Sequence, residues 1–113
     1  VPAAQDPVLT QLRKGVLEYC VLALLRDAPA YGVEMTARLA LHPALFASEG
    51  TLYPLLSRLR RQLWVDTFWQ ESSSGPPRRY YRLTPEGEAA LAAFARAWEP
   101  FTEDVDAVLK ETR

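Results

Sequence analysis

The chain has 113 residues, enough for one hydrophobic core or one core plus an arm, and its 49% hydrophobic and 24% charged residues are an ordinary globular balance. Thirteen basic against fourteen acidic residues give a net charge of -1, a total that by itself argues against a nucleic-acid binder. One cysteine and one histidine exclude an internal disulfide and leave no ligand set for a metal; the lone thiol fits a reducing cytoplasm.

At the amino terminus, Val1-Pro2-Ala3-Ala4-Gln5-Asp6 lacks a basic stretch followed by an apolar one, so no export signal is expected. Leu9, Leu12, Val16, Cys20, Ala23 and Leu24 recur at helical spacing, which predicts one mostly buried helix over residues 8–27. The apolar run inside it spans only ten residues, 16–25, and contains Glu18, too short for the roughly 20 residues that cross a bilayer. A soluble, cytoplasmic protein is expected. A second helix opens near Tyr31, carries Val33, Met35, Leu39 and Leu41, and stops before His42-Pro43. Ser48 then stands as the cap of a third helix, along which Leu52, Leu55, Leu56, Leu59 and Leu63 form one stripe. Pro54 implies that this helix starts near Gly50 or bends there.

Beyond the third helix the period changes to two. Val65, Thr67, Trp69 and Glu71 alternate with Asp66, Phe68 and Gln70, residues 72–77 form a turn cluster, and residues 78–83 read as a second strand. Thr84-Pro85 opens a last helix, with Thr84 as cap and Pro85 in its first turn. The expected fold is mainly α with a small β-hairpin: a winged helix-turn-helix over residues 1–84 and a long C-terminal dimerisation helix over 85–113.

Counting charge by segment alters the opening total. Residues 1–84 hold ten basic and seven acidic side chains, a net of +3, and residues 85–113 hold three and seven, a net of -4. At about 100° per residue the leucines of the third helix fall within roughly 60° of one line. Thr51, Tyr53, Ser57, Arg58 and Arg61 lie outside that arc, a hydroxyl and guanidinium face that suits a major groove. Arg78 and Arg79 stand beside the hairpin tip, where a wing meets phosphates; Tyr80 and Tyr81 point to opposite faces. A solvated basic helix and an exposed basic hairpin would each look the same alone; their conjunction is the signal.

The segments Ser48-Glu49-Gly50-Thr51-Leu52-Tyr53-Pro54-Leu55-Leu56-Ser57-Arg58-Leu59 and Gly75-Pro76-Pro77-Arg78-Arg79-Tyr80-Tyr81-Arg82-Leu83-Thr84-Pro85-Glu86-Gly87 resemble the PadR family of bacterial transcriptional regulators. Leu12-Arg13-Lys14-Gly15-Val16-Leu17-Glu18 and Tyr31-Gly32-Val33-Glu34 fit the family's first two helices. The resemblance covers nearly the whole chain, on the short branch with a single C-terminal helix. It implies a dimeric winged-helix protein that binds double-stranded DNA, usually a repressor, released by a small molecule or stress signal. Thr51, Tyr53 and Arg58 then fall on the recognition helix and Arg78, Arg79 and Tyr80 on the wing. The chain departs from the family at Arg61-Gln62-Leu63-Trp64, where a glycine often stands, and at Pro76-Pro77, which stiffens the wing.

On the last helix Leu91, Phe94, Trp98, Phe101, Val105 and Val108 are spaced as a heptad seam, and burying it against a twin predicts a homodimer. Pro100 is expected to interrupt and kink this helix. Two readers on a two-fold axis imply a pseudo-palindromic operator with half-sites about 34 Å apart, or a multiple. Trp98 reads first as a core residue of the seam; the resemblance adds that an aromatic here can line an effector pocket, which would take a flat aromatic ligand. Cys20 reads as a small buried hydrophobe, and Glu103, Asp104 and Asp106 as a solvated face. No Ser/His/Asp or Cys/His set, phosphate loop or cofactor motif points to an enzyme. The alternative is a winged-helix protein-interaction module without DNA, distinguished by failure to hold DNA at low salt.

Overall fold

The computed structural model describes residues 6–46 and 48–111. Val1 to Gln5, read above for an export signal, lie outside them, as do the last two residues of the C-terminal segment. The elements run α1 (Pro7–Arg13), α2 (Leu17–Leu24), β1 (Ala30–Tyr31), α3 (Gly32–Leu39), α4 (Glu49–Arg61), β2 (Val65–Ser72), β3 (Gly75–Leu83) and α5 (Pro85–Glu111). Among the described residues five helices and a three-stranded antiparallel sheet of order β1-β3-β2 make a winged helix. No helix among the described residues is long and apolar enough to cross a membrane.

The single helix expected over residues 8–27 is two helices. Gly15 takes φ +78°, a conformation that only glycine adopts without cost, and the chain turns there. Asp6 caps α1 by accepting the Val8 N–H at 2.8 Å. α1 buries no residue, and Leu12 is 62% exposed; the apolar spacing continued across Gly15, but the buried face did not. The Arg13 guanidinium ties α1 to the loop after α3, donating to the Ala44 and Pro43 carbonyls at 2.9 and 3.1 Å. α2 is the buried half, with Leu17, Val21 and Leu22 in the core.

Ahead of α3, Ala30 and Tyr31 pair with Tyr81 and Tyr80, adding a strand too short to read in the sequence. The Tyr31 N–H donates to Glu34 at 3.1 Å, closing the first turn of α3. Of the four apolar positions expected on this helix Met35 and Leu39 enter the core, Val33 stays exposed, and Leu41, also exposed, lies beyond the end of α3. α4 starts after Ser48, which holds the cap position without a side-chain bond to the helix backbone and meets the Thr51 hydroxyl at 3.3 Å, and Leu52, Leu55, Leu56 and Leu59 are all buried. Pro54 lies in the second turn without ending the helix, since the Gly50 carbonyl it leaves without a donor is at the exposed surface.

Leu63 does not join the leucine stripe. It has φ +63° and is 66% exposed, because α4 ends in a Schellman turn: the Trp64 N–H donates to the Leu59 carbonyl and the Leu63 N–H to the Arg60 carbonyl, both at 3.0 Å. Leucine thus occupies the left-handed position that glycine fills best. The chain then enters a hairpin wider than expected, with Pro76 and Pro77 inside β3. Gln70 faces Arg78 and Ser72 faces Gly75, so the two prolines oppose Glu71 alone and form a bulge.

The core lies between α2, α3 and α4 and is closed by Val65 and Tyr81 from the sheet and Leu91 from α5. Thr84 caps α5 by accepting the Gly87 N–H at 3.0 Å. With 27 residues α5 is about 40 Å long, and Pro100 sits inside it rather than interrupting it.

Two measurements test this packing. Leu63→Gly removes the left-handed strain and little buried surface, and gives back part of the gain through a freer unfolded chain. A net stabilisation of about 0.5–1 kcal/mol is expected, a rise of roughly 2–6 °C in thermal melting. Burial pushes the Cys20 thiol pKa up, so the unreactive thiol dominates near neutral pH. Alkylation of native protein at pH 8 should be much slower than of the denatured chain; equal rates would contradict this packing.

Candidate nucleic-acid interface

Burying four leucines fixes how α4 is turned about its axis. The side opposite them carries Gly50, Pro54, Ser57 and Arg61, all exposed. Thr51 and Arg58 lie on the flank toward α1 and α2, and Tyr53 on the flank toward α3. All five residues predicted from this helix are exposed, yet they look in three directions.

Tyr53 lies over Gly32, where a Cβ would strike its hydroxyl, so the absence of a side chain at the start of α3 makes room for the ring. Arg58 pairs with Glu18 of α2 at 3.7 Å, the guanidinium half exposed and the carboxylate largely buried. Both line a groove of about 570 Å³ between α1, α2 and α4, together with Thr10, Lys14, Thr51 and Pro54.

In the hairpin, the pleat separates the two arginines that the sequence reading placed together. Arg78 and Tyr80 share the outer face, and Arg79 and Tyr81 the inner one. The outer face is a continuous row. Arg82 pairs with Asp66 at 2.9 Å and lies 4.8 Å over the Phe68 ring. Phe68 stacks on Tyr80 at 5.6 Å, Tyr80 meets Tyr31 edge-on at 5.3 Å, and Arg78 covers Tyr31 at 4.6 Å.

Arg79 is part-buried beside Tyr81 and Trp69, with its Nη2 donating to Thr67 at 3.4 Å and its Nε buried without a partner. Tyr81 is in the core. Trp69, next to the tip, is 68% exposed. Sequence reasoning missed Tyr31, Phe68, Trp69 and Arg82 as members of this surface. Strand alternation contains the signal for Phe68 and Arg82; Tyr31 needed the β1 pairing.

The α5 seam divides in two. Leu91 belongs to the chain's own core, and Phe94 stacks on Tyr19 of α2 at 4.4 Å with the rings 8° from parallel. The row continues outward through Trp98, 5.4 Å from Phe94, to Phe101, 6.5 Å farther. Trp98, Phe101, Val105 and Val108 are 42%, 62%, 41% and 56% exposed. Trp98 and Phe101 form one wall of an apolar groove of about 580 Å³, with Leu9, Leu12 and Val16 on the other. Among the described residues no cluster of three or more His, Cys, Asp or Glu could hold a metal ion.

Residues 21–93 match the transcriptional regulator PadR-like family. A transcriptional regulator of Mycobacterium tuberculosis is 34% identical over 98 residues, 86% of this chain and 89% of the relative. Among solved structures, a PadR-like transcription factor from Bacteroides fragilis is 43% identical with a TM-score of 0.72, covering 91% of this chain and 99% of that one. A PadR-like transcriptional regulator from Bacillus cereus is 36% identical with a TM-score of 0.78, over 88% and 96% of the two chains. The family match takes in the second half of α2, α3, α4, the whole wing and the start of α5, and these likenesses agree with the winged helix built above from the residues: the chain belongs to the PadR-like family of transcriptional regulators.

Proposed function

We propose that the protein is a homodimeric DNA-binding regulator that represses transcription from a pseudo-palindromic operator. The observation that carries this reading is α4, where four buried leucines leave Ser57 and Arg61 exposed on the outer side and Thr51 and Arg58 exposed on the adjoining flank of one rigid element. Arg and hydroxyl side chains on one helix can read guanine edges and bind phosphates in a major groove. The wing adds Arg78 and Tyr80 on its outer face, with Arg79 on the inner one. Residues 1–84 serve as the reading head and residues 85–113 as the dimerising tail.

The dimer reading rests on the distal half of α5. Trp98, Phe101, Val105 and Val108 keep the heptad spacing and remain exposed on a helix that outruns its own core. A second copy is the economical cover. The groove beside Trp98 suits a flat aromatic ligand, which would release DNA if it bound better to one spacing of the two reading helices than to the other.

Selection of bound fragments from the source genome tests the central claim, and recovered half-sites should lie about 34 Å apart, or a multiple. No retention on DNA at low salt would favour a protein-interaction module instead. Arg58→Ala should reduce discrimination between operator and random DNA. Replacing Arg78 and Arg79 together should weaken binding to all DNA alike and flatten the salt dependence by about one unit per lost phosphate contact. An unchanged slope would remove the wing from the interface.

For assembly, Trp98→Ala with Phe101→Ala should give a folded monomer in light scattering, and a stable dimer would sink the seam. Phe94→Ala should instead lower the melting temperature, because its stacking partner Tyr19 lies in the same protomer.

A further inference from the structure

Glu18 has no part in the reading face as so far described. Its side chain is only 18% exposed, and its ion pair is with Arg58 Nη2 at 3.7 Å, whose side chain is 51% exposed. The pair joins the buried helix α2 to the flank of α4 at the edge of the groove that holds Thr51 and Pro54. Lys14 opens into the same groove, yet the carboxylate pairs with Arg58. A long cation on a surface helix ordinarily samples many rotamers and reaches whichever phosphate is nearest. A carboxylate on a side chain only 18% exposed, 3.7 Å behind it, favours the rotamers that keep the guanidinium on the α2 flank.

We propose that Glu18 is a positioning residue for sequence discrimination: it holds one edge of the Arg58 guanidinium against α2, leaving the other edge to meet a base and keeping the side chain off the phosphates. This rests on the DNA-binding reading above. A purely structural role is the natural rival, because Glu18 is in the first turn of α2, where a negative charge favours the helix whatever Arg58 does. The two roles separate in a double-mutant cycle.

The experiment measures anisotropy with the tightest-bound fragment from the genomic selection and with a scrambled duplex of the same length, each over a range of salt. In Glu18→Gln the affinity for scrambled DNA should rise and its salt dependence steepen by about one unit, as a freed Arg58 finds a phosphate. The ratio of specific to scrambled affinity should fall by about tenfold. In an Arg58→Ala background the same Glu18→Gln change should do nothing to either.

A Glu18→Gln ratio and slope equal to those of the wild type would overturn the proposal. So would an effect that persists without Arg58, which would identify the helix-dipole role. Should Glu18→Gln melt below the assay temperature, Glu18→Asp replaces it: the negative charge stays in the first turn of α2 while the shorter side chain withdraws from Arg58, and an undiminished ratio overturns the proposal. Wild-type protein that binds neither duplex defeats the DNA-binding reading itself, a different failure from specific binding that ignores Glu18.

Discussion

One hydroxyl group closes three elements. Thr84 Oγ1 donates to the Leu63 carbonyl at 2.6 Å and accepts the Gly87 N–H at 3.0 Å, while the Thr84 N–H donates to the Trp64 carbonyl at 3.1 Å. The end of α4, the base of the hairpin and the start of α5 are therefore bonded at one point. Gly87 belongs to the same knot, since a Cβ there would collide with the Trp64 carbonyl. Backbone groups freed by the end of a helix have to be satisfied, and here each strand and helix that leaves the junction satisfies another. The angle of the wing to α4 and the exit direction of α5 follow from this bonding. Leu63 bears the strain because the Schellman turn that delivers Trp64 to the junction requires φ above zero.

Two arginines on the outer face of the wing are held in place by rings. Arg78 and Arg82 lie over Tyr31 and Phe68, and the two rings are linked through Tyr80. Each guanidinium over its ring also donates within the wing, Arg82 to Asp66 and Arg78 to Ser74, and so loses much of its freedom to roam. Ordering those side chains before a polyanion arrives reduces the entropy lost on binding. The net of +3 over residues 1–84 and the net of -4 over residues 85–113 keep the total close to neutral.

Periodicity made the main helices and the hairpin legible. Four leucines at the spacing of one helical face admit one orientation of α4, and alternation through β2 and β3 admits one hairpin. What stayed hidden was set by single backbone angles and by neighbours distant in sequence. Gly15 breaks an apolar pattern that carries on past it, and Leu63 fits the leucine spacing while its left-handed φ turns it out of the core. β1 has two residues, too few for any period. The same limit applied to the site: the wheel identified which residues of α4 leave the core, and only packing placed Arg58 against Glu18 and Tyr53 over Gly32.

The seam on α5 shows why spacing names a face without naming its cover. Leu91 and Phe94 continue one line with Trp98 and Phe101, yet the first pair is covered by the same protomer and the second is exposed. The boundary falls where α5 outruns α2. Tyr19 stacks on Phe94 and lies 5.7 Å from Trp64, so an unbroken set of rings runs from the exposed groove to the knot that aims the wing. Rings packed this closely resist independent movement, because a shift of one opens a gap beside the next and forfeits its dispersion contacts. A body seated against Trp98 therefore presses on the same row that holds Trp64 in place. For that contact to alter DNA affinity, the row must have two arrangements of comparable energy, and the occupant must prefer one of them.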